Sequence, residues 1–237
     1  MKNNKDLSPS CMFCQPRKNS IFSNLSDEEL ELMNMHKSCA IYRKGQYIFN
    51  ENGFPQALYC INNGKVKLNT IGIDGKEQIL RLAKSGDVIG YRSLLSNERY
   101  HCSAVALEDS SICVIDKNFF LQSVNNNQKL LFEIIKKLSS DLKTAEEHIV
   151  SLSQKNVRER MAEALLFFKA TFGFAEDGQT LNVVLSREEI ADYVGTSTES
   201  AIRLLSEFNQ DKIIQLEGKK IKIINLPKLI KTANLND

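Results

Sequence analysis

Residues 186–208, SREEIADYVGTSTESAIRLLSEF, hold two capping signals, a glycine between them, and a short amphipathic run bearing one acid and one base. Ser186-Arg-Glu-Glu189 fits a capping box, in which serine and the glutamate three residues on satisfy each other's backbone amides, so a helix EEIADYV is expected to open there. Gly195 breaks it with a residue able to take the positive φ of a tight turn. Thr196-Ser-Thr-Glu199 reads as a second box that opens the next helix at once. On that helix Ala201, Leu204, Leu205 and Phe208 share a face made for a core, while Thr198, Glu199, Ile202 and Arg203 share the opposite face.

The flanks supply the rest of a small domain. SQKNVRERM (153–161) leads into an amphipathic helix through Phe168, a polar loop GFAEDGQT (173–180) follows, and LNVVL (181–185) is strand-like. IIQLEGKKIKII (213–224) gives two β-runs around Gly218, with Lys219 and Lys220 at the tip. Helix, strand, two short helices around a glycine turn and a basic hairpin make the order of a winged helix-turn-helix. The plainer reading of Glu199 and Arg203 is a capping residue and a solvated i,i+4 pair worth a few tenths of a kcal/mol. On a helix lying in a major groove, Arg203 can instead donate to a guanine edge, at about 1–3 kcal/mol of discrimination, and Glu199 can accept from a cytosine amino group. Their place on the first two turns favours the reading role.

The whole chain bounds these expectations. It has 237 residues, 42% hydrophobic and 25% charged, enough for one or two folded domains. No run approaches the roughly 18 apolar residues of a membrane span, and MKNNKDLSPSCMFC lacks the apolar stretch of a secretory signal, so the chain reads as cytoplasmic, with no membrane partner. Net charge is +2, and from Gln154 onward twelve Lys and Arg meet twelve Asp and Glu, so a nucleic-acid partner has to be argued from local geometry. The six cysteines, at 11, 14, 39, 60, 102 and 113, are too scattered for a disulfide framework and are expected as free thiols or ligands.

Residues 45–116 are punctuated by glycines at 45, 53, 64, 72, 75, 86 and 90, which separate β-rich runs such as LYCINNGKVKLN (58–69) and KEQILRLA (76–83). This reads as an all-β sandwich or barrel without helical period, with Asn63-Gly64 and Asp74-Gly75 as tight hairpin turns. LSDEELELMNMH (25–36), with acids in its first turn, predicts a short preceding helix. From Gln128 to about Leu152 a long helix is expected, on which Ile135, Leu138, Leu142, Ala145, Ile149 and Leu152 repeat in steps of three and four. A helix lying on the β-domain would show such a stripe too. The strict alternation over about three heptads, with Lys136, Lys137, Asp141, Lys143, Glu146 and Glu147 flanking, points to a parallel two-fold homodimer. The boundaries expected are an arm with Cys-x-x-Cys (1–20), a β-roll effector domain (21–124), a dimerisation helix (125–152) and a winged helix-turn-helix (153–237).

With GKEQI (75–79), GDVIG (86–90), SQKNVRERM and LSREEIADYVGTSTESAIRLL (185–205) in place, nearly the whole chain resembles the Crp/Fnr regulators. The resemblance implies an α+β architecture: an N-terminal double-stranded β-helix, a jelly-roll like the cyclic-nucleotide-binding domain, then the long dimerisation helix and the C-terminal winged helix. It implies a dimeric transcription factor on palindromic double-stranded DNA, with RNA polymerase as a further partner. The residues expected at the DNA are Ser186, Arg187, Ser197, Thr198, Glu199, Ile202, Arg203, Lys219 and Lys220. Ile202 departs from the serine of the oxygen-sensing branch and offers an apolar contact to a thymine methyl.

For the effector, the resemblance places Gly90, Tyr91, Arg92, Cys102 and Ser103 at the nucleotide pocket. Tyr91 stands where the cyclic-nucleotide branch has its ribose glutamate, and Cys102 where it has its phosphate arginine; Arg92 and Arg99 are out of register. A phosphate deprived of its bidentate arginine loses several kcal/mol, so cAMP binding in the usual manner is not expected. The oxygen-sensing branch holds an iron–sulphur cluster, and Cys11, Cys14 and Cys113 match three of its four ligand positions, the fourth falling on Ser20. Cys39 or an external ligand would have to complete the set, and Cys113 alone reads equally as a small buried strand residue. Two other classes are open to the sequence: a ligand-binding β-roll whose C-terminal domain serves protein interaction, and a thiol redox enzyme using Cys11 and Cys14. The second lacks a βαβ context, and His36, His101 and His148 are scattered without a catalytic constellation.

Overall fold

The computed structural model describes residues 9–234. These fall into two compact units, one running to Thr70 and from Leu80 to Lys143, the other made of Ile71–Ile79 and everything from Thr144 onward.

In the first unit two 3₁₀ turns, Cys11–Phe13 and Pro16–Asn19, precede helix α1 (Asp27–Met35). Ser26 and Glu29 form its capping box, and Asp27, Glu28 and Glu29 sit where the helix dipole favours negative charge. Eight strands follow: β1 (Lys37–Tyr42), β2 (Tyr47–Phe49), β3 (Ala57–Asn63), β4 (Lys65–Ile71), β5 (Glu77–Lys84), β6 (Val88–Ile89), β7 (Ser103–Ala106) and β8 (Ser110–Asp116). They make two four-stranded sheets, ordered β1-β8-β3-β6 and β2-β7-β4-β5. Ile48, Phe49, Ile61, Val66, Ala104 and Ile112 fill one core, with the Phe49 and Tyr100 rings stacked at 4.0 Å. Strand side chains alternate, so the other face of the first sheet carries Leu58, Val88 and Ile115 into a second cluster with Phe22, Leu30, Met33 and Phe120.

Three sequence expectations change here, and one holds. Asn63-Gly64 is not a hairpin: β3 and β4 belong to different sheets, so the dipeptide carries the chain across the sandwich. Asp74-Gly75 does turn β4 into its neighbour β5, with Gly75 at φ +73°. The β-domain contains a helix, α2 (Tyr91–Ser96), too short to show a helical period in sequence, and α3 (Lys117–Asn126) follows β8. LNVVL forms no strand; only isolated bridges, Phe174 to Leu181 and Thr180 to Lys222, lie there beside the last hairpin.

Helix α4 (Gln128–Gln154) is two-faced. Leu130 and Ile134 are buried with α1 and α3 in the second cluster. Ile135, Leu138, Leu142, Ala145, Ile149 and Leu152 are all exposed, Leu142 at 61% and Ile149 at 64%. In the second unit α5 (Val157–Phe172) opens on the Asn156/Glu159 capping box and α6 (Arg187–Val194) on Ser186/Glu189. Gly195 ends α6 in the left-handed region at φ +72°, and α7 (Thr198–Gln210) begins three residues later. Strands β9 (Ile214–Glu217) and β10 (Lys220–Ile223) form an antiparallel hairpin, and α8 (Leu226–Thr232) closes the described chain. Met161, Leu165, Phe168, Ile190, Leu205 and Phe208 lie in the core of this unit. Among the described residues no helix is long and apolar enough to cross a membrane.

Gly64 makes the sheet-to-sheet crossing possible. Its φ is +111°, and a Cβ there would lie 2.1 Å from Ser110 Oγ and 2.8 Å from Ser110 Cα, so no side-chain rotation relieves the clash. Gly64→Ala should therefore destabilise the protein by about 2 kcal/mol or more, read as a lowered denaturation midpoint, whereas Gly218→Ala at the open last hairpin should cost less.

Candidate nucleic-acid interface and sensor face

Two short helices become a reading device only if the turn between them is rigid. The turn is held from α5: Arg160 donates from Nε to the Val194 carbonyl at 3.0 Å and from a terminal nitrogen to Gly195 at 3.2 Å, satisfying carbonyls that the end of α6 leaves unpaired. Arg158 braces α7 through Glu207 at 2.7 Å and Asp211 at 2.6 Å, with its guanidinium over the Phe208 ring. Sequence reasoning gave neither arginine a role, because their partners lie about 35 to 53 residues away.

The expected split of α7 is present. Ala201, Leu204, Leu205 and Phe208 are buried. Glu199, Ile202 and Arg203 line one open hollow on the other side together with Ser206, Glu207 and Gln210, and Ile202 is 50% exposed. The cap, however, is Ser197 and not Thr196: its hydroxyl accepts from the Ser200 amide at 3.2 Å, and no capping box forms. Three consecutive hydroxyl residues made the choice ambiguous. Glu199 stands within the first turn, and its own backbone amide and the Ser197 hydroxyl hold its carboxyl below the usual range. Nor do Glu199 and Arg203 pair with one another as the plainer reading had it: Arg203 approaches Glu207, one turn on, at 4.0 Å. Exposed pairs of this kind contribute little, and the guanidinium is available.

Thr198 is half-buried at the helix start beside exposed Ser197. Ser186 spends its hydroxyl on the Glu189 amide at 3.0 Å, and Arg187 donates to the Gly218 carbonyl at 2.9 Å, tying the start of α6 to the turn of the hairpin. Lys219 and Lys220 are exposed on that hairpin, while Lys222 is occupied by Glu217 at 2.8 Å.

The expected nucleotide pocket is differently furnished. Gly90, at φ +82°, starts α2, and Tyr91 is buried with its hydroxyl donating to Asp141 of α4. Arg81 meets the same carboxylate at 2.7 Å, and so does Lys137, also at 2.7 Å. Burial and the Asp141 carboxylate push the Tyr91 hydroxyl well above its ordinary range. Cys102 is buried, which raises its thiol to about 11, with exposed Arg92 acting weakly against that shift. Ser103 accepts from the Glu51 amide at 3.0 Å, and Arg99 is taken up by the Asn52 carbonyl and the Phe54 ring. A buried phenol already bonded to a carboxylate offers no ribose acceptor, and these residues do not fit a cyclic nucleotide held in the usual way.

The cysteines also depart from expectation. Cys39 and Cys113 are joined by a disulfide across β1 and β8, so Cys113 is neither a free strand thiol nor a free ligand, and Cys39 cannot complete the set. The pairing is non-local, 74 residues apart, and no spacing rule shows it. Cys11 and Cys14 lie on the first 3₁₀ turn and just after it, against the first sheet. Ser20 uses its hydroxyl within its own turn, donating to the Arg17 carbonyl at 2.7 Å and accepting from the Phe22 amide at 3.2 Å. Sequence reasoning passed over Cys60, which borders the same cavity.

Comparison with known proteins agrees with this division of labour. Residues 40–127 match the model of the cyclic nucleotide-binding domain, and residues 159–232 that of the Crp-like helix-turn-helix domain. The fumarate and nitrate reduction regulatory protein of Vibrio cholerae is 30% identical over 197 residues, covering 82% of this chain and 78% of that protein. Its namesake from Yersinia pestis is 30% identical over 227 residues, covering 94% and 90%. Among solved structures, FixK2 from Bradyrhizobium japonicum superposes with a TM-score of 0.77 at 24% identity, over 85% of this chain and 99% of that one. A C-terminal domain reserved for protein interaction is not favoured by these matches. With a sandwich that matches the nucleotide-binding domain, a helix-turn-helix that matches the Crp type and relatives alike over most of their length, the chain belongs to the Crp/Fnr family of DNA-binding transcription regulators.

Proposed function

We propose that the protein acts in the cytoplasm as a homodimer that reads a palindromic site through Glu199, Ile202 and Arg203 and answers a redox or oxygen signal received by its cysteine-bearing face. The observation that carries the reading is the open face of α7, where an acid, an apolar side chain and a base stand together with the core behind them. Arg203 donates to a guanine edge, Glu199 accepts from a cytosine amino group and Ile202 meets a thymine methyl. Ser197 and Thr198 at the start of α7, with Lys219 and Lys220 of the wing, take phosphates; Ser186 and Arg187, bonded within the domain, set the wing against α6.

Dimerisation rests on the exposed stripe of Ile135, Leu138, Leu142, Ala145, Ile149 and Leu152 on α4, too regular to leave in water. Residues 21–124 then serve as the sensor domain, 125–152 as the dimer helix and 153–237 as the reader, with RNA polymerase contacted once the dimer is on DNA. The curated relatives include anaerobic regulatory proteins of Haemophilus influenzae and Bacillus subtilis, which favours a redox signal over a nucleotide. An iron–sulphur centre on Cys11, Cys14 and Cys113 is the cofactor this implies. In the disulfide form that set is short of Cys113, and Ser20 does not replace a thiolate.

Selection of bound duplexes from a random pool should return an inverted repeat. Arg203→Ala should lower affinity for that repeat by about 1–3 kcal/mol, roughly 5–150-fold, while leaving random-duplex affinity nearly unchanged. Equal weakening on both duplexes would remove Arg203 from base reading. Leu142→Glu with Ile149→Glu should yield a monomer in light scattering that no longer retains the palindrome; a dimer of unchanged mass would exclude the α4 seam.

A further inference from the structure

The last turns of α4 belong both to the exposed seam and to the reader. Ala145, Ile149 and Leu152 of the stripe lie in the same compact unit as α5, α6 and α7, so whatever seats these turns on the reader also sets the two readers of the proposed dimer about its axis. Leu152 packs on the turn between α6 and α7, where a Cβ at Gly195 would meet its Cδ2 at 3.0 Å. Buried Ser151 donates to Glu163 of α5, and Lys155 donates to the other oxygen of that carboxylate at 3.0 Å. Arg160 closes the corner, donating to the Lys155 carbonyl at 2.9 Å as well as to Val194 and Gly195. His148 stands three residues before Ser151, its ring 5.5 Å from that of Tyr193 on α6. Tyr193 is itself buried, with Phe167 stacked on it at 5.3 Å and Phe168 at 5.1 Å.

Of these side chains His148 alone changes charge near neutrality. Its Nε2 is buried and has no hydrogen-bond partner among the described residues. A neutral imidazole tolerates that place, whereas an imidazolium carries an N–H on both ring nitrogens and needs an acceptor for each. The surroundings offer little to a cation. On α4 the residues one turn to either side, Thr144, Ala145, Ser151 and Leu152, carry no charge. From α5, Glu163 is already engaged by Ser151 and Lys155, and Arg160 adds positive charge. From α6 comes the Tyr193 phenol, which burial keeps protonated. Burial accordingly holds the His148 imidazole below its ordinary value, with Glu163 pulling the other way.

We infer that His148 is a positioning residue for DNA reading: as a neutral imidazole it seats α6 on the end of α4 and so sets the separation of the two α7 helices, and its protonation unseats them, releasing the palindrome in mild acid. The proton comes from solvent and returns to it. A histidine held neutral by its folded surroundings stabilises them fully above the ordinary imidazole value of about 6.5, and that contribution is lost as pH falls through this value toward the lower one of the seated state. Acid therefore weakens the seat. The inference rests on the reading of α7 as the base-reading helix of a dimer zipped along α4.

The test titrates the full-length protein against the selected palindrome and a random duplex at constant salt, from about pH 8 to about pH 5.5, and reads the ratio of the two affinities, which cancels general effects of acid on duplex binding. For the unsubstituted protein that ratio should fall about tenfold or more over the range. His148→Phe keeps a ring beside Tyr193 and cannot take a proton; it should match the unsubstituted protein at pH 8 and lose no more than about twofold on acidification. His148→Gln, also unable to charge, should give the same flat profile and stands in if the phenylalanine variant does not fold. His101→Gln, which removes another imidazole that burial holds down, should keep the full acid loss. Circular dichroism and light scattering show that each variant is folded and dimeric. An acid loss that persists in both His148 variants, disappears in His101→Gln, or is missing from the unsubstituted protein overturns the inference. No preference for the palindrome at pH 8 strikes the reading of α7 instead, so the two failures are distinct.

Discussion

Asp141 is the point at which the first unit is tied to its long helix. One carboxylate accepts from Tyr91 at the start of α2, from Arg81 on β5 and from Lys137 one turn earlier on α4. A half-buried carboxylate with three donors is stable only while all three are in place, since removing one leaves charge facing apolar surroundings. The side of α4 that carries Leu130 and Ile134 is thereby held on the sheet, and its apolar stripe is turned outward. Tyr91, at the position that the resemblance aligns with a ligand contact, is here bonded internally to α4.

The local grammar of the chain was readable. Capping boxes at Ser26/Glu29 and Ser186/Glu189, the glycine stop at 195 and the two faces of α7 depend on residues three or four apart, and such patterns are visible in a linear sequence. What escaped was non-local. The row of Cys39, Cys113 and Cys60 exists only once β1, β8 and β3 are in register, and the roles of Arg158 and Arg160 only once α5 lies against α6 and α7. Asn63-Gly64 has the composition of a hairpin turn yet changes sheets, because a dipeptide fixes a positive φ and not the partner of the strand that follows. At 196–198 three hydroxyl residues compete for one cap, and the fold chooses the middle one.

The absence of a strong basic field bears on how the domain meets its partner. With balanced charge, long-range attraction to a duplex is weak, and capture depends on the few cations that are not already paired. Lys222 is engaged by Glu217, and Arg187 by the Gly218 carbonyl. Arg203, Lys219 and Lys220 are exposed, and Arg203 meets Glu207 only at 4.0 Å.

The weak tether of Arg203 has a kinetic side. Glu207 is already held by Arg158 at 2.7 Å, and at 4.0 Å it detains Arg203 only loosely. The guanidinium is exposed, and if it reads a base as proposed, a mismatched groove would offer it nothing to linger on. At the right base step it would shed water and settle together with Glu199 and Ile202. Dwell time, more than speed of encounter, would then distinguish the correct address from the rest of the genome.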